Sequence, residues 1–351
     1  YGRKLYYEVA LNYQRSFNDH NVTALAVFNR KITEDIDTSD TNRQKMKFAS
    51  YEEDWVGRVT YNWKERYLAE VNAAYTGSEK FAPGKRFGFF PSFSVGWRVT
   101  EEPFMKKIQE KWLTNLKLRY SYGEVGSDKG APRFNYIQLF ESGGNVTFGK
   151  NQNVTYGPLY TEGKLAYQNA TWETAIKQNL GIEMTILRKL KLNLDLFDER
   201  RTGILMERNT VAPWMGTGLP SVNIGETKNH GLELELGWND KIGKDFSYFA
   251  KFNFATSENR IVYKDDPNRL DDYLKAAGKP IGYVRKYLVS GNLSSIDDIF
   301  NYTQSGIVNG SQDKLIPGDL AYMDYNGDGV IDAKDTAPVE HLNYPLTTYG
   351  L

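Results

Sequence analysis

Apolar residues recur at every second position along most of this chain, and that period narrows the possible folds more than any other feature. Leu5, Tyr7, Val9, Leu11 and Tyr13 alternate with Lys4, Glu8, Asn12 and Gln14. Side chains of a strand point alternately to opposite faces, so such a segment is greasy on one side and wet on the other. Trp55, Gly57, Val59, Tyr61 and Trp63 repeat the pattern against Arg58, Thr60, Asn62 and Lys64, and Tyr67, Ala69, Val71, Ala73 and Tyr75 repeat it against Glu70 and Asn72. It returns over 93–99, 116–122, 180–186, 192–196, 232–238 and 246–254. Several of these runs approach the roughly 9–11 residues a strand needs to cross a bilayer.

The links between the runs alternate in length. Those at 16–20, 62–66, 187–190 and 239–245 are short, and those at 29–50, 77–90, 123–171, 204–229 and 257–345 are long. The link at 101–114 is intermediate and fits a short helix. Successive links of an up-and-down barrel lie at opposite ends, so this parity gathers the long loops at one mouth and the turns at the other, as in outer-membrane barrels. Greek-key crossovers give a β-sandwich no reason to sort links this way. The expected fold is therefore all-β: a segment of an antiparallel up-and-down transmembrane β-barrel with long extracellular loops.

Composition agrees. Aromatic residues make up 14% of a chain with mean hydropathy -0.58, a mixture suited to ring girdles around a polar lumen. No apolar run reaches the 18 residues of a membrane helix, which rules out a spanning helix but not a barrel, whose strands carry only alternate apolar residues. Forty-four basic residues balance 44 acidic ones, so no net field favours nucleic acid. With no cysteine, thiolate metal sites and cysteine nucleophiles are excluded.

The sharpest local motif runs from Asp324 to Asp335 inside the 257–345 loop. Asp324, Asn326 and Asp328 offer side-chain oxygens, Val330 its carbonyl, Asp332 a direct or water-bridged oxygen, and Asp335 the closing carboxylate, with Gly329 at the sharp turn. This is the spacing of a Ca2+ loop. Asp at the twelfth position reaches less easily than Glu, which favours weaker or smaller-ion binding; a metal-free Asx turn has the same composition. His20, His230 and His341 lie far apart with no zinc spacing, and no hydrolase, dinucleotide or phosphate-loop motif is present, so no enzyme is expected. Glu52 with Glu53 and Asp297 with Asp298 read as solvated loop charge. Phe87, Phe89, Phe90 and Trp214, placed in long loops, suit either ligand stacking or loop packing. A secreted calcium-dependent carbohydrate-binding β-sandwich and a passive porin or siderophore-type receptor stay open as alternatives.

Several blocks in order resemble one family. GRVTYNWKERYL at 57–68, FAPGKRFGFFPS at 81–92, GWRVTEEPFM at 96–105, LKLRYSYG at 116–123, WET at 172–174 with NLGIE at 179–183, NHGLEL at 229–234, GKPIGY at 278–283 and the stretch from Pro317 to Asp335 are similar to the barrel of SusC/RagA-type TonB-dependent outer-membrane transporters of Bacteroidota. The resemblance implies that residues 1–351 are part of a barrel of about 22 strands. It also implies import of oligosaccharides or peptides, a SusD-like surface lipoprotein, energy through TonB, and outer-membrane lipid around the wall. The chain opens on Tyr1 and carries no signal peptide, so it reads as an interior piece that lacks plug, TonB segment and closing strands.

Overall fold

Four tight turns set the strand order, and their backbones show why they are tight. Lys64 and Glu65, with φ of 52° and 51°, close one hairpin, and Leu187 and Arg188, at 52° and 60°, close another. Positive φ at both central residues matches the right-handed twist of the flanking strands. Asn18 and Gly243, at 51° and 66°, serve the other two.

The structure, a computed structural model, describes residues 2–35, 48–109, 112–149, 154–208, 210, 218–305, 314–342 and 345–351. The chain divides into two units, Tyr1–Asp265 with Leu346–Leu351, and Asp266–Pro345. The first contains β1 (Gly2–Phe17), β2 (His20–Asp35), β3 (Ser50–Trp63), β4 (Tyr67–Ser78), β5 (Phe87–Arg98) and β6 (Leu113–Ser127). A separate hairpin of β7 (Phe140–Phe148) and β8 (Val154–Glu162) follows, then β9 (Glu173–Ile186), β10 (Leu190–Met206), β11 (Val222–Ile242) and β12 (Phe246–Tyr263). Apart from the β7–β8 hairpin these strands, with the short strand Thr347–Gly350, form one eleven-stranded sheet in chain order. All its neighbours pair antiparallel, and the sheet has two ends, β1 and Thr347–Gly350.

The register carries one apolar face across the sheet. Tyr13, Ala24, Val59, Val71 and Phe93 stand in one row, and Leu118, Ile182, Leu194, Leu234 and Phe254 stand in another. Much of this face is uncovered among the described residues: Leu11 is 71% exposed, Val9 61% and Val71 58%. In water that much contiguous apolar surface marks a binding or membrane face. On β3 the band is bounded by Trp55 and Trp63, with Tyr75 and Tyr67 paired opposite them. Eight residues rise about 27 Å along a strand, or about 20 Å along the membrane normal at a tilt near 40°. That is close to the height of an outer-membrane apolar band.

The strands outrun the band only at the long-loop end. β10, β11 and β12 have 17, 21 and 18 residues, well beyond the crossing requirement. Just past the band they are polar on both faces, over 198–202, 226–230 and 257–260, with Arg200 on Glu226 at 2.7 Å and Arg260 on Glu258 at 2.7 Å, and apolar residues return at their tips, as at Ile204, Leu205 and Val262.

At the turn end, the link between β5 and β6 tucks under the rim and includes a short helix, α1 (Lys106–Gln109). Thr100 is fully buried and accepts the Leu116 amide at 3.2 Å. The nearly buried Glu102 accepts the Tyr67 hydroxyl at 2.6 Å and the Trp97 indole N–H at 3.1 Å, and pairs with Arg66 at 3.2 Å. Donation from Tyr67 above all, then from Trp97 and the charge of Arg66, holds the Glu102 carboxyl below its ordinary value despite burial. A depressed folded pKa stabilises the fold above the unfolded carboxylate range, and that contribution is lost as pH falls through the folded value. Melting of the detergent-solubilised full-length protein should therefore fall on acidification, with a shallower acid limb in Glu102→Gln; parallel limbs would assign the acid sensitivity elsewhere.

The second unit is built from short pieces. Tyr283–Tyr287 pairs with Thr336–Leu342, Val289–Asn292 with Leu320–Tyr322, and Gln304–Ser305 with Val330–Ile331. Leu293, Leu315 and Ala321 form its core, with Ile299 and Tyr302 against them. The helix α2 (Ile296–Asn301) starts in a capping box of Ser295 and Asp298. β12 runs on to Tyr263, past the Ser257 boundary expected from the alternation.

Candidate functional site

The face opposite the apolar band carries an ion-paired wall. Arg58 meets Glu70 at 2.7 Å, Lys117 and Arg119 both reach Glu183 at 3.2 Å, and Arg119 reaches Asp195 at 2.7 Å. Lys177 pairs with Glu199 at 3.3 Å, and Arg201 joins Glu199 and Glu173 at 2.9 and 2.5 Å. The register places these side chains on one face because each is an odd number of residues from an apolar-face neighbour. Gly181 makes the longest reach possible. A Cβ there would stand 2.4 Å from Arg119 Nε, so only a bare backbone lets Arg119 lie across β9 to Asp195 on β10.

Between these charges runs a groove of about 620 Å³, lined by Ser92, Ser94, Ser121, Asn179, Phe197 and Glu233 among others. Small hydroxyls and an amide on a charged wall exchange hydrogen bonds with polar solutes without trapping them in an apolar pocket. Polar lumen and apolar exterior together are the two-sided chemistry of a barrel wall.

At the long-loop end an apolar cluster packs over the wall. Phe81 and Trp172 are buried with Ala131 and Ala170, and Phe90, Tyr167 and Leu205 lean on them. Trp172 donates its indole N–H to the Arg86 carbonyl at 3.1 Å. Of the four aromatics assigned to loops, Phe87, Phe89 and Phe90 lie in β5 instead. Phe87 and Phe89 stand on the apolar face beside Gly77 and Tyr75, and Phe90 packs on Trp172; Trp214 lies outside the described residues. Apolar residues at both parities hid the strand, so three of the four are wall and packing residues.

In the second unit the Ca2+-type loop is tightly wound. Asp324 accepts the amides of Gly327 and Gly329 at 2.8 and 2.9 Å, and Asn326 accepts that of Asp328 at 3.0 Å. Asp328 accepts the amide of Val330 at 3.0 Å, and Asp332 that of Lys334 at 2.7 Å. Asp335 is fully buried and accepts three amides, from Tyr325, Asn326 and Asp332. The Lys334 ammonium stands 3.3 Å from Asp328 and 3.5 Å from Asp332. Hydrogen bonding from Asn326 first, then from Val330, with the Lys334 charge, holds the Asp328 carboxyl below its usual range. Among the described residues, no three acidic or imidazole side chains converge as a metal shell would; each of the five side chains accepts at least one of the loop's own amides.

The remaining sequence features separate. His20 bonds the Tyr61 hydroxyl at 2.7 Å beside the turn-end ring of Trp63, His230 stands on β11 opposite Asp198 and Glu258, and the His341 side chain lies outside the described residues. Glu52 and Glu53 belong to β3 and face opposite ways, Glu52 to Lys31 and Glu53 to Trp55, so they form no catalytic pair. Asp297 and Asp298 open the capped helix α2.

Comparison with known proteins gives these faces a family. Residues 1–346 match the family described as TonB dependent receptor-like, beta-barrel. TonB-dependent receptor P39 of Formosa agariphila is 26% identical over 92% of this chain, and TonB-dependent receptor SusC of Bacteroides thetaiotaomicron is 26% identical over 80%. The chain spans 35% and 27% of their lengths. A structure of the RagAB peptide importer in its closed-closed state superposes over 99% of this chain and 39% of its own, with TM-score 0.68 at 15% identity. The apolar band, the polar wall and the sorted loops are thus those of an outer-membrane barrel, and the chain belongs to the TonB-dependent receptor-like β-barrel family, similar in sequence to SusC, as its sequence blocks suggested, and in fold to the RagAB importer.

Proposed function

We propose that this chain is wall and surface loop of a non-enzymatic importer that takes up oligosaccharides or peptides across the outer membrane. In this reading TonB supplies the energy and a SusD-like surface lipoprotein closes the mouth. The observation that carries it is the pairing of an unbroken apolar face with an ion-paired polar face along the same strands. The resemblance of the sequence blocks to SusC/RagA-type transporters implies both substrate classes, and the likeness to a peptide importer supports the second. The test is uptake of labelled oligosaccharides and peptides by cells with the full-length gene deleted and restored. Uptake that needs both the gene and TonB supports the reading; unchanged uptake of every probe in the deletion strain overturns it.

We propose also that the loop of Asp324, Asn326, Asp328, Val330, Asp332 and Asp335 takes Ca2+. Its oxygens fit a hard cation, Gly329 at φ +84° gives the required bend, and Lys334 already brings positive charge to Asp328 and Asp332. The buried Asp335 clamps the loop from within. Calorimetric titration of the full-length protein with Ca2+ should give heats that vanish in Asp324→Ala/Asp328→Ala and binding that tightens severalfold in Lys334→Met, where the competing ammonium is gone. Equal heats in wild type and the double variant would remove the site.

A further inference from the structure

The outward face of β2 to β5 has a known neighbour. In an outer-membrane barrel it meets lipid, and the rest of the cylinder joins at the ends of the sheet without covering it. Just beyond the girdle at the long-loop end, Arg30, Arg86, Tyr51 and Phe87 line a recess of about 340 Å³. Arg30 lies 5.7 Å from the Tyr51 ring centre, and Arg86 donates Nε–H to the Phe81 carbonyl at 3.3 Å. Neither guanidinium forms an ion pair with a described residue. Of the two carboxylates of the recess, Glu79 is paired with Arg133 at 3.2 Å, and Glu53, the cross-strand neighbour of Arg30, accepts the Trp55 indole N–H at 3.0 Å, so two guanidiniums face one carboxylate that has no other cation among the described residues.

One row deeper, Phe28, Trp55, Tyr75 and Phe89 form an aromatic ridge. Beneath it the side chains shrink. Two adjoining furrows of about 500 and 440 Å³ share Leu11, Ala26, Gly57 and Ala73. A Cβ on Gly57 would meet nothing within 4 Å, so the depression is open to an occupant.

We propose that this face seats one phosphorylated glycolipid of the outer leaflet, of the lipid A class, with a phosphate between Arg30 and Arg86 and an acyl chain along the furrow. Guanidinium forks match phosphate oxygens in pairs, and basic recesses beside an apolar wall collect anionic headgroups. The long-loop end faces outward, where the leaflet is built of such glycolipid. Tyr51 and Phe87 add half-exposed rings that suit a sugar face better than a small phospholipid headgroup. The seat does not depend on what the barrel carries.

The full-length protein carrying this chain should be titrated in detergent with lipid A, with lipid A stripped of phosphate, and with phosphatidylglycerol, and bound lipid read by native mass spectrometry. Lipid A should bind preferentially. Arg30→Ala/Arg86→Ala should weaken it about thirtyfold, the effect of two surface charges, down to the level of the dephosphorylated form. Gly57→Leu should weaken both forms of lipid A, and Arg15→Ala, at the opposite rim, neither. Equal retention of the dephosphorylated form by wild type, equal retention of phosphatidylglycerol, or an undiminished double variant would each overturn the seat.

Discussion

Val59→Arg in the full-length protein should block folding into lipid, while Thr60→Arg, one residue on, should fold. Val59 stands midway between Trp55 and Trp63, is half exposed, and neighbours Ala24 and Val71 on the apolar face. An Arg at the membrane midplane of a barrel costs about 2–4 kcal/mol, a large fraction of a marginal folding free energy. Thr60 points the other way, opposite Thr23 and Glu70. The chain already tolerates this charge on that side, because Arg58 lies on the same face and meets Glu70 at 2.7 Å. The Thr60 variant loses only its hydroxyl contact with Thr23, a cost of about 1 kcal/mol. Refolding each variant into lipid vesicles and reading the folded fraction by its heat-modifiable gel mobility separates them. Equal folded fractions at 59 and 60 would mean that the apolar face does not meet lipid.

That contrast rests on a feature legible from the residues alone. Where one face is lipid and the other is lumen, a period of two is imposed by burial, and it survives in β1, β3, β4 and β9 to β12. It fades where its cause is absent. Beyond the girdle Asp198, His230 and Glu258 occupy apolar-face positions, so the strand extensions carry no alternation. The first half of β5 hides it for a different reason. Phe87, Phe89 and Phe90 put rings on both faces, and Phe90 fits only because Gly88 and Gly126 leave it room; a Cβ on Gly126 would stand 1.9 Å from the Phe90 ring. A pattern of hydrophobicity has no means to show that a glycine on a third segment makes space for a ring.

The polar wall was half legible. Parity assigns Arg119, Gly181 and Asp195 to one face, but only the register sets them in a line across β6, β9 and β10. The Ca2+-type loop shows the same division. Spacing alone orders its oxygens, whereas the ammonium of Lys334 between Asp328 and Asp332, and the amides that engage Asp335, depend on how the chain is wound. The short strands of the second unit have two to seven residues, too few for any period to stand out.

Trp172→Ala tests the packing that the alternation could not reveal. The indole is 9% exposed, with the Phe81 ring 5.3 Å away and the Phe90 ring 5.4 Å away. Phe81 belongs to the link before β5, Ala131 and Ala170 to the long link between β6 and β9, and Leu205 to the end of β10. One side chain therefore ties the link before β5 to the long link between β6 and β9, beyond the last rungs of the β6–β9 and β9–β10 ladders at Glu173 and Thr174. Removing it leaves a cavity and takes one of two donors from the Arg86 carbonyl, which keeps the Ser78 amide at 3.0 Å, at a cost of about 3–5 kcal/mol for the truncation. Trp172→Phe keeps the ring stack and loses chiefly the hydrogen bond, about 1 kcal/mol. The apolar band and the ion-paired wall lie outside this cluster, so the expected failure is local opening of the loops over a standing barrel. Hydrogen exchange should accelerate strongly at 79–86 and 163–172 in Trp172→Ala, slightly in Trp172→Phe, and not in β3 or β4 near Val59 and Val71. Uniform acceleration through those strands would mean that the cluster is part of the barrel's own stability and not a clamp on its mouth.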